Sequence, residues 1–443
     1  MTDRVPALVE IRLTSFKSFR NEVLPVRPVT LLTGLNSAGK SNALDAIGVL
    51  ARIAGGDNLA NALDTTRQAE GPVRGGSAGC PPHGTDRFAL GCTVAVGDDL
   101  LRWDIDVQTG DHLHVHGESL VQVSGRKTQT LFTTDDGVGP SITARVMSGK
   151  RGIDPPTALW RDRAVLTQVP SVLKDNQAHR GVRAAVDAVR AALAGVYHLD
   201  PVPSRMREFV PRKDVQLRRH AENLSASLAE LQTDQPDDFS ALVDLARKVV
   251  DERVLGIDSV TSELDDVMIA LVERQGRPDS GIVEKTPARV MSDGLLRVLA
   301  VGTALLSDRG GLDIAGAPSP DETAGAPLLI VEEVENGLHP SQAGRVLDLL
   351  RTAGEQRGKR VLVTTHSPAL LDAAEGDLND AIVVCFRDRD TGNSRLVPLP
   401  ELPGYLRAMA TGSIGDNVTQ GRLTRPEHDV VDTSAFDEIF GLG

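Results

Sequence analysis

The first part of the chain combines strand-like and helix-like spacing of hydrophobic residues. The segments ALVEIRLTSF and VTLLTG are typical of β-strands, and the second ends in glycine. The next segment, KSNALDAIGVLARIAG, places Leu44, Ile47, Leu50 and Ile53 at helical spacing and predicts a helix. Residues 55–84 are rich in Gly, Pro, Ser and Asp, which predicts a loop.

The pattern changes several times after this loop. Residues 86–148 alternate between apolar and polar positions, which predicts antiparallel strands. Residues 171–250 have helical spacing, and residues 256–290 return to strands. The helix-like segments LLRVLAVGTALL and SQAGRVLDLLRTAG then alternate with the strand-like segments PLLIVEE and RVLVTTH. This alternation is typical of a parallel sheet covered by helices.

These changes predict four regions in the 443 residues. We expect residues 1–150 and 256–425 to form two parts of one α/β core, the first of which includes an antiparallel β subdomain. Residues 151–255 are predicted to form a helical insertion between the two parts, and residues 426–443 an acidic tail.

Composition excludes several functional classes. The 48 basic and 61 acidic residues give a net charge of −13, which argues against a dedicated nucleic-acid binder. The three cysteines lack CxxC spacing, so we expect buried thiols in a reducing compartment. No apolar run approaches the roughly 20 residues of a membrane helix, and the N-terminus lacks a secretory pattern. We therefore expect a cytoplasmic protein without a membrane partner.

The segment LLTGLNSAGKSNAL has the spacing of a phosphate-binding loop. It places Gly34, Gly39, Lys40 and Ser41 as GxxxxGKS between a predicted strand and a predicted helix. The glycines permit positive φ angles and a close approach to phosphate oxygens, and the helix N-terminus adds partial positive charge. Lys40 is expected to reach the β- and γ-phosphates, and the Ser41 hydroxyl to bind Mg²⁺.

Two later strands end in side chains that suit nucleotide hydrolysis. The strand in APLLIVEEVENGLHP ends at Glu332 and Glu333. Next to a phosphate loop, we expect Glu332 to hold Mg²⁺ through water and Glu333 to activate the attacking water. The strand in KRVLVTTHSPALLDA ends at His366, one helix later. Its imidazole is expected to sense the γ-phosphate by a hydrogen bond.

A third segment, RVMSDGLLRVLAV, places Ser292 and Gly294 where a strand-like segment becomes a helix. Such a position can expose backbone N–H groups to an anion, but by itself it is also typical of an ordinary helix cap.

The order FKSF, GLNSAGKSN, MSDGLLR, LIVEEVENGLHP and VTTHSP resembles the ABC-type ATPase heads of the SMC, RecF and OLD-like AAA families. It looks most like stand-alone bacterial AAA family ATPases, and its specific motifs cover residues 7–55 and 285–375. The resemblance implies an α/β P-loop NTPase of ABC or SMC-head type, with a mixed sheet, an antiparallel β subdomain and a helical insertion. At the metal position the family more usually has Asp, so Glu332 departs from it.

The resemblance also implies an activity, Mg²⁺-dependent ATP hydrolysis in composite sites of a head-to-tail homodimer. This switch would serve DNA-associated maintenance or antiphage defence, together with an effector protein encoded nearby. The residues expected to bind the nucleotide are Asn36, Ser37, Ala38, Gly39, Lys40, Ser41 and Asn42, with Ser292 and Gly294 contributed by the other protomer. Gln168 is the candidate for a lid glutamine at the metal.

The same resemblance predicts where two further segments lie. Phe16–Phe19 resembles the segment that borders the adenine. Glu335, Asn336 and His339 resemble a loop that faces the other protomer.

Several alternatives remain open. The basic segment 205–219 could contact a DNA backbone or could be a solvated helix face. Glu375-Gly376 with Asp388 and Asp390 could indicate an appended nuclease, although RDRDTGNSRLVPL is more typical of a hairpin. The same ATPase core could also serve as a nucleotide-gated scaffold or as the nucleotide-binding subunit of a transporter.

Overall fold

A computed structural model describes most of the chain. The described residues are 5–65, 73–110, 112–135, 139–150, 152, 154–249, 253–275, 282–314, 325–336, 339–356, 358–374, 376, 378–410 and 412–424. The predicted acidic tail and Glu375 lie outside these residues.

The described residues form strands and helices with the following bounds. The strands are β1 (Ala7–Phe16), β2 (Phe19–Pro25), β3 (Val29–Thr33), β4 (Arg87–Val96), β5 (Asp99–Gln108), β6 (His114–Ser124), β7 (Lys127–Asp135), β8 (Ser141–Val146), β9 (Pro156–Trp160), β10 (Val196–Leu199), β11 (Val210–Pro211), β12 (Val254–Thr261), β13 (Asp266–Gln275), β14 (Ile282–Pro287), β15 (Leu328–Val331), β16 (Arg360–Thr365), β17 (Ile382–Arg387) and β18 (Ser394–Pro398). The helices are α1 (Lys40–Ala54), α2 (Leu59–Asp64), α3 (Val165–Val172), α4 (Gln177–Ala194), α5 (Leu224–Asp234), α6 (Pro236–Val249), α7 (Asp293–Leu306), α8 (Ala343–Gln356), α9 (Pro368–Ala373), α10 (Tyr405–Met409) and α11 (Ile414–Thr419).

In the described residues, 14 strands form one mixed sheet, in the order β10-β15-β16-β3-β17-β18-β2-β1-β4-β5-β6-β7-β8-β9. The first five strands are parallel, and the strands from β1 to β9 pair antiparallel. The parallel and the antiparallel strands are joined where Ser394 in β18 pairs with Phe19 in β2. The expected α/β fold with a mixed sheet is therefore confirmed, and its antiparallel strands continue the same sheet.

The parallel strands are buried on both faces, which explains their continuous apolar runs. In β15, Leu328 and Ile330 pack into one hydrophobic cluster with α1 and α4, whereas Leu329 and Val331 pack into a second cluster with α7. Each such buried aliphatic side chain stabilises the fold by roughly 1.5–3 kcal/mol.

The predicted insertion at residues 151–255 contributes to both clusters. Helices α3 and α4 pack in the first cluster, and α4 lies against α1. Helices α5 and α6 pack in the second cluster, near α7. Strand β10 lies between these helix pairs and forms one edge of the large sheet. The predicted helices are present, but they do not pack as one unit, and the proposed boundaries stay a prediction.

Two further sequence predictions can be compared with the structure. Strands β17 and β18 form the predicted antiparallel hairpin, whose turn is held by Asp388 accepting the N–H of Thr391. Among the described residues, the helices are all too short or too polar to cross a membrane.

Candidate functional site

The loop between β3 and α1 has the backbone geometry that close contact with phosphate requires. Gly34, Ser37 and Gly39 have φ angles of 146°, 64° and 124°. A Cβ atom at Gly34 would collide with the carbonyl oxygen of Cys385, so glycine is needed there for space as well as for φ. Helix α1 begins directly after Gly39, so its free N–H groups point into the loop.

Lys40 is directed into this loop. The side chain is 8% exposed, and its Nζ donates to the carbonyl oxygens of Gly34, at 2.8 Å, and Leu35, at 3.2 Å. Burial lowers the pKa of Lys40, while nearby acidic groups that include Glu333 and Glu335 act in the opposite direction. The acidic loop after β15 is therefore close enough to Lys40 to share one site with it.

The phosphate loop is supported from behind by the FKSF turn and the β17–β18 hairpin. The Ser394 hydroxyl donates to the carbonyl oxygen of Ala38. Asn42 donates to the Ser18 hydroxyl at 3.0 Å, and Arg387 donates to the carbonyl oxygen of Ser37 at 3.4 Å. These bonds fix the loop and the start of α1, and Ser41 lies in that first turn.

A cavity of about 370 Å³ adjoins the loop, a size within the range of small-molecule sites. Its walls include Gly34, Asn36, Ala38, Arg387, Val418 and Leu423.

Glu332 lies just beyond β15 and contacts a histidine on the neighbouring edge strand. Its Oε1 is 2.7 Å from Nε2 of His198 in β10. The pKa of Glu332 is lowered, chiefly by His198 and further by Arg219 and Arg74. Arg74 in turn donates to Asn42, in the first turn of α1, at 3.3 Å. His198 is 134 positions earlier in the chain, and no sequence signal connected it with Glu332.

Glu333 and Glu335 have different surroundings. Glu333 has a φ of 47°, its side chain is exposed, and its carboxylate accepts a hydrogen bond from Asn336. Oε1 of Glu335 accepts the backbone N–H groups of His366, at 2.6 Å, and Ser367, at 3.0 Å. The prediction from resemblance placed Glu335 in a loop facing the other protomer, whereas its side chain turns inward to the end of β16.

His366 belongs to the same group of charges. Burial lowers the pKa of His366, Lys40 lowers it further, and Glu333 and Glu335 raise it. Lys40, Glu333, Glu335 and His366 are therefore close enough to influence one another at the carboxyl ends of parallel strands. This edge is where open α/β sheets bind their ligands.

The donor set fits a Mg²⁺ ion that accompanies a nucleotide. Among the described residues there is no group of three or more His, Cys, Asp or Glu arranged to hold a metal. Mg²⁺ commonly takes only one or two protein oxygens and completes its shell with water and phosphate. The Ser41 hydroxyl, in the first turn of α1, could supply one of them, and the Glu332 carboxylate could hold the ion through water.

The segment with Ser292 and Gly294 lies at the N-terminus of α7. The Ser292 hydroxyl accepts the N–H of Leu295 at 3.3 Å, so it caps its own helix. Asp293 pairs with Arg207 at 2.6 Å, and Arg207 also donates to the carbonyl oxygen of Met291. In the described part of the chain, no recorded hydrogen bond or ion pair joins this segment to the phosphate loop. Its expected role toward the other protomer's nucleotide stays a prediction.

Gln168 has a local structural role. Its Oε1 accepts the N–H of Trp160 at 2.9 Å, and its Nε2 donates to the Trp160 carbonyl oxygen at 2.8 Å. The amide thus pairs with the backbone of β9, the last strand of the sheet, as a neighbouring strand would. Because both polar atoms are engaged there, the structure does not bring Gln168 together with the proposed metal residues.

The basic segment 205–219 is largely engaged within the protein. Besides the Arg207–Asp293 pair, Arg212 pairs with Asp265 and Arg218 with Asp214. Arg219 influences Glu332, as noted above. Much of the predicted basic patch is therefore neutralised by nearby carboxylates.

The chain is similar to one protein family and to several solved structures. Residues 29–136 and 278–372 match the sequence model of a family described as "AAA domain, putative AbiEii toxin, Type IV TA system". No curated protein matches the sequence. Among solved structures, the SMC head domain from Thermotoga maritima is 12% identical, covering 88% of this chain and 98% of that one, with a TM-score of 0.41. The Smc head domain bound to the C-terminal domain of ScpA, from Pyrococcus furiosus, is 12% identical, covering 91% and 100%, with a TM-score of 0.42.

The family match spans the residues that form the site. Its first segment contains the phosphate loop with Lys40, and its second contains Ser292, Glu333 and His366. In these two segments, the chain is similar to the AAA domains that this model describes.

Proposed function

We propose that the protein binds ATP with Mg²⁺ and hydrolyses it in composite sites of a head-to-tail homodimer. The observation that carries this proposal is the position of Lys40, Glu333 and His366 after the neighbouring parallel strands β3, β15 and β16, beside a phosphate loop. Lys40 and the N-terminus of α1 would hold the phosphates, which agrees with their direction into the loop. A bound Mg²⁺ would neutralise charge on the phosphates, with the Ser41 hydroxyl as its proposed protein ligand and Glu332 holding it through water.

In the reaction, Glu333 accepts the proton of the attacking water, and His366 holds the γ-phosphate by a hydrogen bond. Ser292 and Gly294 present the N-terminus of α7 to the γ-phosphate bound by the other protomer. ATP then favours the closed dimer, provided that it binds this state more tightly than the open one.

The proposal also includes a cellular role for this ATPase. A role in antiphage defence, with an effector encoded nearby, agrees with the toxin–antitoxin wording of the family description. DNA-associated maintenance is the other role that the resemblance implies. The pairing of the basic segment with carboxylates gives DNA contact less support than the sequence suggested.

The test of the proposed activity uses Glu333→Gln. We expect this variant to bind ATP, to elute as a dimer with ATP in gel filtration, and to lose turnover by about 100-fold or more. Ser292→Arg is the matched variant, which should bind ATP but fail to dimerise or turn it over. A Glu333→Gln protein that stays monomeric with ATP and hydrolyses it at the wild-type rate would refute the assignment of the base. Binding without measurable turnover in the wild type would favour the nucleotide-gated scaffold.

A further inference from the structure

The two carboxylate oxygens of Glu335 have unequal environments. Oε1 accepts two backbone N–H groups, from His366 and Ser367. Oε2 is buried and has no hydrogen-bond partner within the described residues. A buried polar atom without a partner destabilises the folded state, and more so when it carries charge. Such an atom therefore needs a physical explanation.

Glu335 lies with the charged groups that surround the phosphate position. Its charge acts on both Lys40 and His366, as the charge of Glu333 does. Glu332 has other charged neighbours, namely His198, Arg219 and Arg74. Because Oε1 accepts the backbone N–H of His366, the proposed γ-phosphate sensor, Glu335 lies on the proposed water and γ-phosphate side of the site rather than on the metal side.

Glu335 also differs from Glu333 in its exposure to solvent. The Glu333 side chain is exposed, and its carboxylate is held by Asn336. A carboxylate oxygen shielded from solvent forms a stronger hydrogen bond than an exposed one. Its position is also fixed, because Oε1 is anchored to the backbone at the start of α9.

We propose that Glu335 is a second carboxylate of the hydrolytic site, whose Oε1 fixes the backbone at His366 and whose Oε2 accepts a hydrogen bond from the attacking water. This inference rests on the proposed ATPase function. Glu335 orients the water, while the proton still passes to Glu333. The arrangement also makes the acidic loop and His366 one unit, because any displacement of Glu335 breaks two bonds to the backbone at residues 366 and 367.

The two oxygens can be tested separately. Glu335→Gln keeps one carbonyl oxygen for the N–H groups of His366 and Ser367, but replaces the other oxygen with an NH₂ group that cannot accept. Glu335→Leu removes both acceptors at similar volume. Glu401→Gln, at an exposed position, controls for the loss of one negative charge. Melting curves establish that each variant is folded, and Glu335→Gln keeps the test decisive if the leucine variant does not fold.

We expect Glu335→Gln to bind Mg²⁺-ATP within about twofold of the wild type, as measured with a fluorescent ATP analogue, and to lose kcat by about 10- to 100-fold. Wild-type kcat in Glu335→Gln would show that the anchor at His366 is the whole role of this residue and would overturn the inference. That outcome leaves the ATPase proposal standing. A wild-type protein without turnover would instead refute the proposed function and this inference together.

Discussion

Glu118 is buried where strand β6 meets helix α3, and its ionisation should make the fold sensitive to pH. Glu118 is 4% exposed. It accepts the indole N–H of Trp103 at 2.9 Å and the backbone N–H groups of Val165, at 2.6 Å, and Leu166, at 2.7 Å. Burial raises the pKa of Glu118 from 4.5 to about 7, although these hydrogen bonds oppose the rise.

The sign of the effect follows from proton binding. Between pH 4.5 and about pH 7, the folded protein holds a proton on Glu118 that the unfolded chain has released. Stability from this group is therefore fully present below pH 4.5 and is lost as the pH rises through about 7. At roughly 1.4 kcal/mol for each pH unit, the loss over this interval amounts to about 3 kcal/mol.

Glu118→Gln removes this titration. We expect the free energy of unfolding of the wild type, minus that of the variant, to fall by about 3 kcal/mol between pH 4.5 and pH 8. Urea unfolding at several pH values measures this difference. The fluorescence of Trp103, which donates to Glu118, also reports unfolding. The only other tryptophan, Trp160, is 62% exposed and can be replaced with Phe so that it does not contribute to the signal. Glu263→Gln, at an exposed position, controls for the charge removed. A difference that stays constant across this range would refute the reasoning.

Three other substitutions test single contacts. His198→Leu should raise the Mg²⁺ concentration for half-maximal ATP binding about tenfold, whereas His198→Gln keeps a donor to Glu332 and should stay close to the wild type. Lys359→Met should lower the free energy of unfolding by about 2–4 kcal/mol in urea, because three buried carbonyl oxygens lose a charged donor. Gln168→Leu should cost about 1 kcal/mol of stability and leave Mg²⁺-dependent turnover unchanged. Loss of turnover in a folded Gln168→Leu protein would restore its predicted role at the metal.

The sequence was enough to predict which candidate side chains lie at the ends of parallel strands. Lys40 follows β3, Glu333 follows β15 and His366 follows β16. Because the carboxyl ends of adjacent parallel strands share an edge, placing the strands was enough to predict that these three side chains lie close together.

The same reasoning could not predict the direction of side chains in loops or the contacts between distant segments. The inward turn of Glu335 depends on the path of the loop, including the positive φ at Glu333, and hydrophobic periodicity carries no information on such angles. The structural role of Gln168 depends on the edge strand against which α3 packs. Ser394 pairs with Phe19 and so joins the parallel and the antiparallel strands in one sheet. These two residues are 375 positions apart in the chain.

Lys359 connects the two elements on which the proposed switch depends. Its buried ammonium group donates to the carbonyl oxygens of Ala304, Leu305 and Ser307, at the end of helix α7. Strand β16 begins at the next residue and ends directly before His366, and α7 begins directly after Ser292. If Lys359 moved away, three buried carbonyl groups would lose their charged donor at a large desolvation cost. Helix α7 and strand β16 should therefore move together. If Ser292 meets the other protomer's phosphate and His366 meets its own, this helix and strand form a continuous physical connection between the two nucleotide sites.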